Sequence, residues 1–130
     1  MIEIIIPGTP LPWRAPYVGT RGAYSPRTAV MNDLRIVLKR EYSGSVFVNP
    51  INVDFEFYMP IPVSTSKKKR VLMLERVIMP SKIPDLDNLR KFGSDLLQGI
   101  AYENDSIIVS GYSIKVYGEN PRTVVKIQEV

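Results

Sequence analysis

Ile51-Asn52-Val53-Asp54-Phe55-Glu56-Phe57-Tyr58-Met59 alternates apolar and polar side chains without a break. A β-strand sends successive side chains to opposite faces. Ile51, Val53, Phe55, Phe57 and Met59 therefore line one face, and Asn52, Asp54, Glu56 and Tyr58 the other. The stretch reads as a half-buried strand, ended by Pro60 and Pro62. Such a strand needs partners beside it and a layer over its apolar face.

The flanking sequence supplies both. Residues 2–6 form a short apolar run ending at Pro7, and residues 107–117 and 122–129 read as two strands joined by a Gly118-Glu119-Asn120-Pro121 turn. Ser25-Pro26 opens a helix, a capping Ser followed by Pro at the first helical position. Val30, Leu34, Val37 and Leu38 recur along it at helical spacing, opposite a face of Asn32, Asp33, Arg35, Lys39 and Arg40, and Gly44 is its stop. A second helix covers Asp87 to Gln98, with Leu89, Phe92, Gly93, Leu96 and Ile100 as its stripe and Gly99 as its stop. Four or more strands and two main helices, in no strict βαβ alternation, predict a single α+β domain over residues 1–130 with a mixed sheet.

Two absences narrow the chemistry: the 130 residues contain no histidine and no cysteine. Ser-His-Asp and Cys-His schemes are excluded, as are zinc sites built on Cys or His, iron–sulfur clusters and disulfides. A metal ion here would have oxygen ligands only, which points to Mg²⁺, Mn²⁺ or Ca²⁺. No apolar run approaches the length of a membrane span, and the N-terminus lacks a basic leader, so the expected location is cytoplasmic.

Charge is divided along the chain. Residues 1–84 hold 12 basic and 6 acidic side chains, whereas residues 85–130 hold 5 basic and 7 acidic ones. The Lys67-Lys68-Lys69-Arg70 run is either a solvated surface or a contact for several phosphates. The proline-rich segment 7–26 carries Trp13, Arg14, Tyr17, Arg21 and Tyr24, with a small hairpin near Arg21-Gly22. Basic and aromatic residues together suit a nucleic-acid grip, and equally a surface loop anchored by its aromatics.

Five of the 13 acids fall between Asp85 and Asp105. Asp85 precedes the second helix and Asp87 sits at or beside its N-cap, where the helix dipole favours ionised carboxylates. Asp105 opens the next strand. If that strand runs beside the segment entering Asp85, three carboxylates converge, and a divalent cation is the usual compensation. Lys91 lies one turn beyond Asp87, placed to meet a phosphate. The same residues also fit plain structural duties: Asp87 as a cap paired with Lys91, and Asp105 as a turn residue.

The string Pro84-Asp85-Leu86-Asp87-Asn88-Leu89, followed by Lys91, Asp95, Leu97 and Glu103-Asn104-Asp105, resembles the signature of RusA-type Holliday-junction resolvases. Pro7-Gly8-Thr9-Pro10, the segment from Gly22 to Pro26, the basic run from Ser66 to Arg70, Lys115, and Pro121-Arg122 extend the likeness over nearly the whole chain. The resemblance implies a Mg²⁺-dependent endonuclease, with Mn²⁺ as a substitute, that acts as a homodimer on four-way DNA junctions in recombination and repair. It places the catalytic and metal-holding aspartates on Asp85, Asp87 and Asp105, and the functional lysine on Lys91. It makes Asp95 a support for the helix or for Lys91. Arg14, Arg21, Lys67, Lys68, Lys69, Arg70 and Arg90 are the candidate DNA-backbone contacts. Three positions depart from the pattern: Asn104 replaces a second acid, Ile83 separates Lys82 from Pro84, and Trp13-Arg14 replaces a Lys-x-Arg arrangement. The competing reading is a non-catalytic basic module that binds nucleic acid and uses its acids only as caps and turns.

Overall fold

The computed structural model describes residues 1–15, 17–19, 22–24 and 27–130. The first half contains β1 (Ile2–Pro7), β2 (Tyr17–Gly19), β3 (Gly22–Tyr24), α1 (Thr28–Glu41) and β4 (Ile51–Pro60). The second half contains α2 (Lys67–Leu74), α3 (Leu86–Leu97), a 3-10 turn (Asp105–Ile107), β5 (Ile108–Ser110), β6 (Ser113–Gly118) and β7 (Arg122–Glu129). This is a single α+β domain around a five-stranded mixed sheet, with β2 and β3 as a separate hairpin.

β4 is the centre of the sheet. Its apolar residues Ile51, Val53, Phe55, Phe57 and Met59 are all buried, and the polar residues between them are half-buried, as the alternation predicts. Along one edge it pairs antiparallel with β7, which pairs antiparallel with β1. Its other edge is shared by β5 and β6, both parallel to it. The apolar face packs on α1 and α3 in one core that includes Leu38, Leu89, Phe92, Leu96 and Leu97. Gly93 lets α3 approach closely: a Cβ there would lie 2.8 Å from Phe55 Cε1.

Several local expectations need correction. The single strand over 107–117 is two strands behind a 3-10 turn. Gly111 separates them because the backbone passes so close to β4 that a Cβ there would overlap the carbonyl oxygen of Val53. Asp54 Oδ1 fixes the bend by accepting from the Tyr112 N–H at 2.8 Å, and Ser110 Oγ donates to Asn52 Oδ1 at 2.8 Å. The domain has a third helix, α2, where the sequence reads as a polar connector. Ser66 caps it by accepting from the Lys69 N–H at 3.3 Å, which offsets the weak core contact of a run that buries only Met73. α3 starts one residue early, at Leu86, with Asp85 as N-cap.

α1 begins at Thr28; its expected Ser25-Pro26 start lies outside the described residues. Of its apolar stripe only Leu38 is buried, and Val30 and Val37 are each 37% exposed. The helix ends at Glu41, before Gly44, and the Tyr42 N–H donates to Leu38 O. Arg35, on the polar face opposite that stripe, donates to Asp95 O at 2.7 Å and Leu96 O at 3.3 Å. These are last-turn carbonyls of α3, beyond the reach of the helix's own i+4 donors, and the Asp95 oxygen also accepts the Gln98 N–H at 3.3 Å. The hairpin is present as β2 and β3, paired through Val18 and Ala23. Among the described residues no helix is long and apolar enough to cross a membrane.

Candidate functional site

The head of α3 is held from below by β6. Lys115 Nζ donates to Lys82 O at 2.8 Å and to Pro84 O at 3.0 Å. This clamp fixes the segment that delivers Asp85. Asp85 takes the extended geometry of an N-cap, and its backbone oxygen accepts the Leu89 N–H. Its side chain makes no cap hydrogen bond. Asp87 follows in the first turn, and both carboxylates are exposed. The ion pairs among the described residues are Arg70–Glu119, Arg76–Glu56 and Lys126–Glu56, so no described neighbour pairs with Asp85 or Asp87.

Lys91 lies one turn further along and has a partner that sequence spacing does not reveal. Its Nζ sits 3.6 Å from the centroid of the Trp13 ring. Trp13 is itself anchored, its backbone N–H donating to Asn88 O at 2.8 Å. Arg27 Nε donates to Pro12 O at 3.1 Å, so the proline-rich loop is tied to α1 as well as α3. A basic-aromatic loop beside a Pro-Asp-x-Asp helix entry is the signal in the sequence, but the pairing of Trp13 with Lys91 is a tertiary contact.

Asp105 stands at the first position of the 3-10 turn and is exposed. Asn104 caps that turn, its Oδ1 accepting from the Ser106 N–H at 2.9 Å. The Asp105 N–H donates to Gln98 Oε1 at 3.1 Å, beside the C-terminal end of α3. Its charge is felt there: burial first, and then the negative charge of Asp105, push the Asp95 carboxyl above its ordinary range, against the opposing pull of Lys91 and Arg35. The buried Tyr102 phenol is raised for the same two reasons, and it donates to Ser94 O at 2.6 Å.

The structure thus brings Asp85 and Asp87 together at the head of α3 and sets Asp105 toward its far half. Among the described residues, no group of three or more Asp, Glu, His or Cys side chains is arranged to hold a metal ion. The donor chemistry nevertheless suits a hard divalent cation: two exposed carboxylates, two positions apart and without ion pairs among the described residues, in a chain without His or Cys.

The candidate DNA contacts lie on several elements. Lys67, Lys68 and Lys69 are exposed in the first turn of α2, and Arg70 is half-buried, 3.8 Å from Glu119. α2 packs on β6, the strand whose Lys115 also holds the entry to α3. Arg14 and Arg90 are exposed, and Arg21 lies outside the described residues.

The chain is 34% identical over 97 residues to the protein YqaN of Bacillus subtilis strain 168, a match covering 73% of this chain and 68% of that one. The family model described as Endodeoxyribonuclease RusA matches residues 7–128, which takes in the proline-rich loop, all three helices and the acidic head of α3. The chain belongs to the RusA endodeoxyribonuclease family.

Proposed function

We propose that this protein is a metal-dependent endonuclease that hydrolyses phosphodiesters in four-way (Holliday) or other branched DNA, in recombination and repair. The observation that carries the reading is the family match over residues 7–128, a span that includes Asp85 and Asp87, which stand exposed and without an ion pair among the described residues at the head of α3.

In this reading Asp85 and Asp87 would hold Mg²⁺, with Mn²⁺ as a substitute, and Asp105, the third aspartate that the family resemblance assigns, would have to be drawn toward them from beside the far end of α3. When bound, the ion acidifies a water and offsets negative charge at the scissile phosphate. The Lys115 clamp fixes the backbone that presents Asp85 and Asp87. Lys91 supplies a positive charge one turn away, steadied on the Trp13 ring, for the charge that develops on the phosphate. Lys67, Lys68, Lys69, Arg70, Arg14, Arg21 and Arg90 contact the DNA backbone, which positions the substrate without reading its sequence. A homodimer suits a four-way junction because two symmetric strands then meet two identical sites.

One observation favours the second reading, a binding module without catalysis: no three carboxylates are already grouped among the described residues. Incubation of a synthetic four-way junction and a linear duplex with the protein, with and without Mg²⁺, separates the two. The nuclease reading expects Mg²⁺-dependent cuts in the junction. Tight junction binding with no cuts in Mg²⁺ or Mn²⁺ would establish the binding module instead.

A further inference from the structure

We propose that the cleft beside Asp85 is a nucleobase subsite, which holds one unstacked base of the DNA next to the phosphate being cut. This rests on the nuclease reading above. The cleft has a volume of about 610 Å³ and lies between the proline-rich loop, the end of β4, β6 and the entry to α3. That is the size of an ordinary small-ligand site.

Its lining favours a flat, neutral, aromatic occupant flanked by anions. Trp13, Tyr117, Met59 and several prolines give it apolar and aromatic surface. Arg14 and Lys82 also line it, and both are exposed, as cations that meet phosphates on either side of an inserted base should be. Asp85 lines it too. Arg27 and Lys115 line it as well, but each is engaged by backbone carbonyls, Arg27 with that of Pro12 and Lys115 with those of Lys82 and Pro84. The Asp85 carboxylate, without an ion pair among the described residues, therefore disfavours a phosphate beside it but not an uncharged base. Asn88 adds an amide that makes no side-chain hydrogen bond among the described residues, and an amide offers a base edge both a donor and an acceptor.

The stacking platform is formed in advance. Trp13 is fixed by its backbone bond to Asn88 and by Lys91 at 3.6 Å from its ring, so little order has to be created when a base arrives. Because Asp85 belongs to both the cleft and the proposed metal site, a base held there sets which phosphate lies at the carboxylates. The subsite also gives a physical basis for preferring branched DNA. A base at a branch point is less firmly stacked and paired than one inside a duplex, so drawing it out costs less.

Trp13 is the sole tryptophan of the chain, so its emission reports on the cleft directly. The test uses the wild-type protein without divalent cations, titrated with a four-way junction and with a linear duplex of the same sequence. Anisotropy of labelled DNA follows binding independently. The junction is expected to quench Trp13 emission as it binds, and the duplex to quench it much less. An abasic residue moved step by step through the branch point should remove the quench at one position. Trp13→Ala should weaken junction binding roughly 5- to 150-fold, with Trp13→Phe restoring most of it. Junction binding with unchanged Trp13 emission, or a quench indifferent to every abasic position, would overturn the subsite and leave the nuclease reading standing. If neither DNA binds by anisotropy, the nuclease reading fails and the subsite with it.

Discussion

Helices α2 and α3 both follow a proline-containing bend and both present charge in their first turn, yet different forces hold them. α3 buries Leu89, Phe92, Gly93, Leu96 and Leu97, and Arg35 ties down its C-terminal carbonyls. α2 has eight residues, buries only Met73 and relies on Ser66 for its cap. In α3 the core supplies the stability, so the cap residue Asp85 can leave its carboxylate free. In α2 three lysines crowd the positive end of the helix, where cations are disfavoured. A charge arrangement that local energetics oppose, kept in a weakly buried helix, points to a partner that is negatively charged. The acids of α3 sit where the dipole favours them, and their exposure points to a cation.

The sharpest way to break this comparison is to remove the core anchor of α3. Leu96→Ala should lower the unfolding free energy by about 2–5 kcal/mol, measured by denaturant titration. A loss below about 1 kcal/mol would mean that α3 is not held by its core. Replacing Lys67, Lys68 and Lys69 together with Ala should leave stability unchanged or raise it by roughly a few tenths of a kcal/mol. The same triple variant should bind DNA more weakly, with a salt dependence shallower by about 0.9 for each phosphate that is no longer neutralised. An unchanged salt slope would remove these lysines from the interface. Ser66→Ala should cost about 1 kcal/mol, because α2 has little else to fix its start.

The smallest effect concerns Asp95, which burial and then the Asp105 charge push above the usual carboxylate range. The folded state therefore holds the proton more tightly than the unfolded one. That contribution is full at pH values below the ordinary carboxylate range and is lost as pH rises through the folded value. Asp95→Asn should flatten this part of the stability profile. An Asn variant whose stability falls as steeply with rising pH would show that the Asp95 carboxyl is not raised in the folded state.

Local patterns carry much of this architecture. The alternation of β4 and the apolar stripe of α3 are set by each element's own period; β4 recurs residue for residue, and the stripe recurs at Leu89, Phe92, Gly93 and Leu96, with Leu97 added to it and Ile100 buried beyond the helix end. α2 is not legible, because Lys67 to Arg70 reads as a solvated connector, and only the serine before it marks a helix start. The break at Gly111 is hidden for another reason: it answers to the carbonyl of Val53, far away in sequence. In the site, Asp85, Asp87 and Lys91 are readable from the helix entry, whereas the Trp13 platform and the Lys115 clamp are contacts between distant elements. Of the two readings open for Asp105, the turn residue recurs in the turn led by Asn104, whereas its place beside the far end of α3 is a tertiary contact that the sequence does not reveal.

The central claim is that the exposed carboxylates at the head of α3 perform the cleavage and do not merely shape the helix. The direct test compares wild type with Asp87→Asn on a four-way junction in Mg²⁺, measuring cutting and binding on the same samples. The account predicts that the variant binds the junction as tightly as wild type or tighter, since one repelling charge is gone, and that cutting falls at least about a hundredfold. An Asp87→Asn protein that cuts the junction at the wild-type rate would contradict it.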